Sequence, residues 1–477
     1  MALINNNVMR VSDSKDLTTD MKTLQKYINA HDAEVNNRFK ALWNAYSCNA
    51  RILNKSAIPA KASYKPDYRI AVNYPRYIVD TFTGFARGIA VTATASMDDA
   101  EKTADVNDYI KNLWDENELD DVNSELHRLK CVFGESYQLL YVNEMGNIET
   151  VATDPLSAFP IYDNSIRPKL RYFVRTYEDE DNKRHGSISD GTNVYYLDFE
   201  NGLHITESHP HGFGGVPVSV YTMNKARIGL IEPILSMSDA YDKAISEKMN
   251  DVDAFADAIM KVLGIKLDED QIRDLRDKRI INIAGRDGSN TVVDFMQRPS
   301  GDTTQEHLLD RLHNLMFVIS MVCNVSDPNF ATSSGIALRM KMEPMSNLAA
   351  GDWRQDVASM KNFWRLVFSN PVNSIDDDSW KYMTFSHYLN YPDDVESSTD
   401  VSVKLSGVVS KRTQLSILPT SIVPDVDLEM EEIAKEQDEA LKSAAVSLQT
   451  ANTETTETTE TTETTETTEK TETEGET

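Results

Sequence analysis

Cysteine is scarce in this 477-residue chain. Cys48, Cys131 and Cys323 are far apart, odd in number and form no CxxC pair. That excludes a disulfide framework and a zinc knuckle, and it predicts a reducing, intracellular setting. No run of eighteen apolar residues occurs, so no membrane span is expected. The opening MALINNNVMR lacks the apolar core of a signal peptide. There is no GxxxxGK[ST] phosphate loop and no GxSxG elbow. Positive charge is also short: 48 Lys and Arg stand against 76 Asp and Glu, a formal net charge of −28. Half of that excess lies in two late stretches. Asp425–Lys442 holds eight acids and two bases, and the chain from Thr453 holds nine Glu and one Lys. The body is acidic as well, which argues against gripping phosphates over a broad surface but permits a polyanion to slide past.

What is present is enough apolar sequence, 40%, to bury roughly three domains or one elaborate one. The chain is organised around Pro233 to Val325. The first helix is predicted from Pro233 to Gly264, with Ile234, Tyr241, Ile245, Met249, Val252, Phe255, Ile259 and Val262 on one stripe. Asp239, Asp242, Glu247, Lys248, Asp251 and Asp257 fall on the opposite face, and its length would be ~46 Å. A second helix is predicted from Thr303 to Val325 through Leu308, Leu312, Leu315, Ile319 and Val322. Between them lies an α/β insert: a helix Asp268–Lys278 capped by Asp268 and Gln271, then β-rich runs Arg279–Ile283 and Thr291–Phe295 joined by AGRDGSN. Two readings stay open for this region, a shaft with a tip and a helical hairpin inside an ordinary core.

Upstream, a helical stripe runs through Leu24, Tyr27, Ile28, His31, Val35, Phe39 and Leu42, and Pro59 and Pro66 mark an extended connection. Helices are predicted over Asn73–Gly88, Asp105–Asn117 and Asp120–Phe133. Strands follow at Ser136–Asn143, Ile148–Ala152, Ile161–Tyr162, Leu170–Thr176, Val194–Phe199, Leu203–Thr206 and Val216–Tyr221, with His209–Gly215 as a loop. The order is helices and then mainly antiparallel strands, an α+β pattern. Downstream, Ser326–Ser334 reads as a loop, and a helix from about Gly335 to Pro371 is expected to break or kink before Pro344. Ser379–Tyr388 and Asp400–Leu405 read as strands, and Leu428–Leu448 as an acidic helix. The Thr-Thr-Glu repeat from Thr453 lacks apolar residues and is expected to be disordered.

No catalytic constellation has convincing spacing. Gly212, Gly214 and Gly215 precede a strand and read as a turn. His209 and His211 lack further ligands. Asp376–Asp378, Asp393–Asp394, Asp425 and Asp427 read as solvated acids. Arg339 and Lys341 form a helix face next to a polar loop, which also suits transient contact with a polyanion. A metal-dependent nuclease or other hydrolase using the acidic clusters, and a non-enzymatic acidic scaffold, are the competing readings.

Six blocks occur in order: NYPRYIVDTFTGFARGIAV (73–91), GESYQLLYVNEMGNI (134–148), DPLSAFPIYD (154–163), GFGGVPVSVY (212–221), SSGIALRMKMEPMSNLA (333–349) and LSGVVSKRTQLSILPTSIVPDVDLEMEEI (405–433). Together they resemble the portal proteins of tailed bacteriophages, of the type found in long-tailed phages of Gram-positive hosts. The resemblance implies a non-enzymatic, cofactor-free dodecameric ring at one capsid vertex of the virion, assembled in the host cytoplasm, through which double-stranded DNA is packaged and ejected. It implies a wing (1–225 and 371–424), two stem helices (226–263 and 302–325), a clip (264–301), a tunnel loop (326–336), a tunnel helix (337–370), a crown (425–452) and a tail (453–477). Implied partners are the large terminase, the head–tail connector or adaptor, and the major capsid and scaffolding proteins, with no membrane. The DNA-facing residues would be Asn329, Thr332, Ser333, Ser334, Arg339 and Lys341. The clip contacts would be Arg279, Arg286, Asp287 and Asn290. The Thr-Thr-Glu tail has no counterpart in that plan.

Overall fold

The computed structural model describes residues 4–5, 8–56, 66–256, 260–263, 292–295, 302–327, 330, 335–373, 375–391, 395–419, 422–423, 426 and 428–438. Strands β1 (Ile4–Asn5) and β2 (Val8–Arg10) precede helix α1 (Met21–Glu34), which Asp20 caps by accepting from the Thr23 N–H. A π-helical turn at Val35–Phe39 joins α1 to α2 (Lys40–Tyr46). Helix α3 (Tyr74–Arg87) starts with Pro75 in its first turn and ends at Gly88, as its apolar spacing predicts. After β3 (Thr92–Ala95) comes α4 (Ala100–Glu116), which begins a turn before the expected Asp105 because Asp99 caps the Glu101 N–H at 3.1 Å. Helix α5 (Leu119–Phe133) ends on Gly134 at φ +90°, where an added Cβ would sit 2.2 Å from the Arg227 carbonyl. Only glycine fits there.

Strands β4 (Glu135–Val142), β5 (Ile148–Thr153), β6 (Ala158–Tyr162), β7 (Leu170–Glu178), β8 (Arg184–Ser189), β9 (Asn193–Asp198), β10 (His204–Pro210) and β11 (Val218–Thr222) follow. One sheet has the order β1-β2-β6-β7-β8-β9-β10, antiparallel except for the β2–β6 pair, and a second has the order β11-β4-β5. Strand β8 went unpredicted because RHGSIS has one buried aliphatic side chain, Ile188, and no alternating apolar pattern. The expected loop at His209–Gly215 begins later than predicted. His209 and Pro210 belong to β10, an edge strand, where a missing N–H costs no ladder bond.

The first long helix is shorter than expected. A 3₁₀ turn at Glu232–Ile234 leads into α6 (Leu235–Ala256), while Met260–Leu263 is strand β12, paired antiparallel with β13 (Val292–Phe295). Helical spacing did not separate the apolar end of the rod from a short strand. The second rod, α7 (Asp302–Ser320), stops at Met321, whose φ of +60° ends the helix before Val325. Helix α8 (Gly335–Phe368) runs unbroken through Pro344. Met342, Met345 and Ala349 are buried on either side, and that packing outweighs the one helical bond the proline removes. Ser379–Tyr382 is a 3₁₀ turn rather than strand, followed by β14 (Met383–Ser386) on β3.

Residues 391–477 form a separate unit. In it, Asp400–Leu405 is not a strand: α9 (Val395–Lys404) is helical and faces α10 (Lys411–Leu415) through Gln414, whose amide donates to the Ser402 carbonyl at 2.8 Å. Three alternating residues were too short a pattern to specify β structure. Residues 428–438 are helical, as expected for the start of the acidic helix. The helix and strands predicted at 268–283, and the Thr-Thr-Glu tail, lie outside the described residues.

Three clusters make up most of the core of the first unit. Leu24, Tyr27 and Ile28 of α1 cover the sheet at Ile161, Val174, Ile188 and Leu197. Phe82, Phe85, Leu129 and Phe133 pack on Ile234, Met316, Phe317 and Met345. Val106, Ile110 and Leu113 pack on Trp364, Val367 and Phe368. The first part of the chain thus forms a body into which both rods and α8 are rooted.

Candidate functional site

Helices α6 and α7 pair as two rods of ~33 and ~29 Å. Lys248 is ion-paired with Glu306, and the Gln305 amide donates to Asp251 at 3.3 Å. The first turn of α3 braces them. The Tyr74 ring meets Tyr241 edge-on at 5.1 Å and Phe317 at 6.1 Å, and its hydroxyl lies 2.8 Å from His313 Nδ1. Burial and its neighbour Tyr241 push the Tyr74 phenol well above its ordinary range.

Helix α7 is apolar on two faces. Leu309, Met316 and Phe317 are buried, while Leu308, Leu315, Val318 and Ile319 face solvent, Val318 at 72% exposure. Leu308, Leu315 and Ile319 recur at gaps of seven and four, the spacing of a stripe that packs on another helix. Among the described residues Met321, Val325 and Met340 are exposed apolar side chains close to it in sequence or fold, since Cys323 Sγ lies 3.0 Å from the Lys341 carbonyl. The sequence pattern put Leu308, Leu312, Leu315, Ile319 and Val322 on one stripe; among the described residues Val322 is buried, while Leu308, Leu315 and Ile319 are uncovered.

Asp242, on the face of α6 opposite its apolar stripe, is not at the surface. Its side chain is buried and accepts the Val72 N–H at 2.8 Å. Burial pushes this carboxyl up to about 6, with the Val72 bond opposing and Asp239 adding to the rise.

Arg339 and Lys341 lie exposed in the first turns of α8, as the sequence predicts. Asn329, Thr332, Ser333 and Ser334, and Arg279, Arg286, Asp287 and Asn290, lie outside the described residues.

Farther along α8 is a feature the sequence reading missed. Asp352 and Asp356, one turn apart, face Lys130 of α5 and Arg87 at the end of α3, all with side chains at most 3% exposed. Lys130 Nζ is 2.6 Å from Asp352 and also pairs with Asp356, which Arg87 contacts in turn. Burial opposes the Asp352 charge, but Lys130, His127 and Arg87 outweigh it and hold the carboxyl well below the usual range. His127, 3.1 Å from Asp352, is lowered to about 3 by burial and stays neutral. Trp353 stacks on His387 at 4.5 Å and under the Arg87 guanidinium. Two acids at i and i+4 inside an aromatic-rich helix were the available signal.

The remaining candidates do not assemble a reactive centre. His209 is 3.3 Å from Glu207, and His211 is 3.1 Å from the Asp190 carbonyl. Asp376 accepts the Asp378 N–H, and Asp378 pairs with Lys381. Asp393, Asp394, Asp425 and Asp427 are outside the described residues. Among the described residues no three His, Cys, Asp or Glu come together as a metal site, and no helix is long and apolar enough to cross a membrane. A cavity of about 1030 Å³ is lined by residues of β4, β5, β8 and β9, but its acids are engaged, Glu125 by Arg128 and Asp154 by the N–H groups of Leu156 and Ser157.

The family model described as "Phage portal protein, SPP1 Gp6-like" matches residues 24–443. No curated protein matches the chain. Among solved structures, a chain of the "Neck of empty GTA particle computed with C6 symmetry" is similar at 11% identity and a TM-score of 0.41, covering 72% of this chain and 90% of that one.

Proposed function

Because this chain belongs to the phage portal protein family, SPP1 Gp6-like, whose members are structural and not enzymes, we infer that it forms a closed ring at one capsid vertex. Double-stranded DNA passes through the axial channel of that ring during packaging and ejection. The observation that carries this reading is the uncovered apolar stripe Leu308–Leu315–Val318–Ile319 on a rod whose other face is already packed. A second copy is the natural cover, and identical subunits joined by unlike faces close into a ring when the rotation permits. The rods act as the stem, and the part of the chain between them, 264–301, as the clip. There Arg279, Arg286, Asp287 and Asn290 would meet the terminase motor and later the head–tail connector. Residues 326–336, with Asn329, Thr332, Ser333 and Ser334, serve as the tunnel loop, Arg339 and Lys341 stand beside it, and 425–452 forms the crown.

The charge supports the same reading. Without Asp425–Lys442, which carries −6, and the chain from Thr453, which carries −8, the net charge of −28 is still −14, so a bore built from the remainder repels phosphates, a passing duplex meets little adhesion, and a few isolated cations give only weak, salt-screened contacts. Shortening 326–336 tests it in assembling particles. Rings should form normally while DNA filling or retention falls; normal filling contradicts the loop assignment. Metal-dependent cleavage of DNA by the purified chain would support the hydrolase reading instead.

A further inference from the structure

Strand β3 is paired on one side only, with β14. The Ser96 N–H donates to the Tyr382 carbonyl at 3.2 Å, which makes 96 and 382 a bonded pair. Alternation along the antiparallel ladder then bonds Thr94 to Thr384 and Thr92 to Ser386, and turns the N–H and C=O of Ala93 and Ala95 away from β14. Asn107 of α4 meets Ala95 as a neighbouring strand would. Its Oδ1 accepts the Ala95 N–H at 2.8 Å and its Nδ2 donates to the Ala95 carbonyl at 3.1 Å. Ala93 has no such partner among the described residues. Beside it a groove of about 360 Å³ opens along residues 90–94, walled by Asn107, Ile110, Lys111, Trp114 and Asp115. Three other strand edges in this body are closed or guarded. Along β5, Asn117 accepts the Thr150 N–H at 2.9 Å and donates to the Ile148 carbonyl at 3.2 Å. Along β11, Ser359 and Asn362 donate to the Val220 and Val218 carbonyls at 2.7 and 3.3 Å. Strand β10 carries a bulge and Pro210, two devices that protect an edge. At Ala93 there is no closing side chain, bulge or proline.

An open strand edge facing a helix across a groove is the geometry in which an extended peptide adds to a sheet. Main-chain bonds then give affinity and side-chain pockets give specificity. The inner wall here is apolar. Ile110 is buried, and Trp114 is half-buried with its indole N–H donated to Asp120 at 3.0 Å. The volume suits a short segment. The surroundings are acidic: Asp98–Asp121 holds ten acids and two bases, and Asp115 and Asp120 line the groove itself. Such a field draws in cationic chains and turns acidic ones away. We propose that β3 and α4 take up a basic, extended segment of a partner protein as an added strand. Its backbone bonds to Ala93, one apolar side chain lies over Ile110 and Trp114, and flanking Lys or Arg residues stand beside Asp115 and Asp120. The groove lies within the first unit and stands on these contacts alone, so the proposal is independent of ring formation.

The test uses the full-length chain and two fluorescein-labelled peptides, Lys-Val-Thr-Val-Lys and Glu-Val-Thr-Val-Glu, followed by fluorescence anisotropy at low salt. The basic peptide should bind about tenfold more tightly than the acidic one. Ala93→Pro removes the outward N–H and leaves the β14 ladder intact, because that N–H takes no part in it. It should weaken the basic peptide about fivefold, the worth of one hydrogen bond, while thermal unfolding of the chain hardly moves. Asp115→Lys, on the exposed wall, should weaken the basic peptide about threefold and strengthen the acidic one. If the proline variant fails to fold, amide exchange of the unmodified chain decides. Adding the basic peptide should raise protection at Ala93 and leave Thr94, already bonded to β14, as it was. Absence of binding, equal binding of the two peptides, or binding indifferent to Ala93→Pro overturns the proposal. Binding of the basic peptide with exchange at Ala93 unaltered would mean adhesion to the acidic surface of α4, and overturns it as well.

Discussion

The joint of α3, α5 and α8 and the rod pair α6–α7 place polarity in opposite ways. At the joint, Arg87, Lys130, Asp352 and Asp356 are sealed inside, and apolar residues surround them. On the rods, large aliphatic side chains of α7 face outward, while Asp242, Ser246 and Asn250 of α6 accept the N–H groups of Val72, Ile70 and Tyr68. Sealed charges demand their partners in one arrangement, because a stranded ion in the interior is costly. An apolar outer face demands a partner that the described residues do not supply. The comparison teaches that the joint finds its partners among the described residues and the outer face of the rods does not.

The largest effect should come from breaking the joint. Lys130→Met leaves two buried carboxylates to share one cation, Arg87, and should lower unfolding stability by about 3–5 kcal/mol, read by denaturant titration. Converting all four charged residues to apolar ones of similar size should restore most of that loss, because no ion is then left unpaired. A fourfold variant as weak as Lys130→Met would show that the charges stabilise by more than mutual pairing.

Val318→Asp should do the reverse, sparing the single chain and weakening each subunit contact by about 2–3 kcal/mol. Size-exclusion chromatography with light scattering should show monomers replacing the assembly while the melting temperature of the monomer hardly moves. An unchanged assembly would mean that the stripe stays uncovered.

Titration sharpens the contrast further. His31 and His127 are lowered to about 4 and 3 by burial. Their folded pKa values lie below the unfolded one, so the unfolded chain takes up protons first. Stability is then full above pH ~6.5 and falls toward pH 4 by up to ~1.4 kcal/mol per unit for each histidine. Asp242 works in the opposite sense. Raised to about 6, it binds its proton in the folded state before the unfolded chain does, so acid stabilises the fold between pH 6 and 4. Asp242→Asn removes that compensation and should steepen the acid loss by about 2 kcal/mol over this range. A shallower profile in the variant would contradict the assignment. The smallest effect belongs to the exposed pair between the rods: Glu306→Gln should cost about 0.5 kcal/mol or less.

Much of this arrangement was legible in the residues. The helical stripes of α1, α3 and α5 and the strands with alternating apolar residues appear where the spacing puts them, because there one face meets a core and the other meets water. Legibility failed where a partner overrides the pattern. Asp242 was readable only as a charge on the polar face of its helix, and its partner, the Val72 N–H, comes from 170 residues earlier. Leu308, Leu315 and Ile319 looked buried because apolar periodicity reports a packed face without saying which molecule packs it. The tetrad was invisible because its members come from three helices, and sequence gives no distance between Lys130 and Asp352. Of the candidate site, the placement of Arg339 and Lys341 at the start of α8 was readable; their relation to DNA rests on the proposal.

The central claim is that copies of this chain stand around a common axis with α6 and α7 upright and the outer face of α7 covered by the neighbour. Cryo-electron microscopy of the purified full-length chain tests it most directly. The account predicts a closed ring with an axial hole, the rods aligned along it, and Val318 and Ile319 buried between subunits. A monomer, an open filament, or a ring whose rods lie tangential with the α7 stripe in solvent would contradict it.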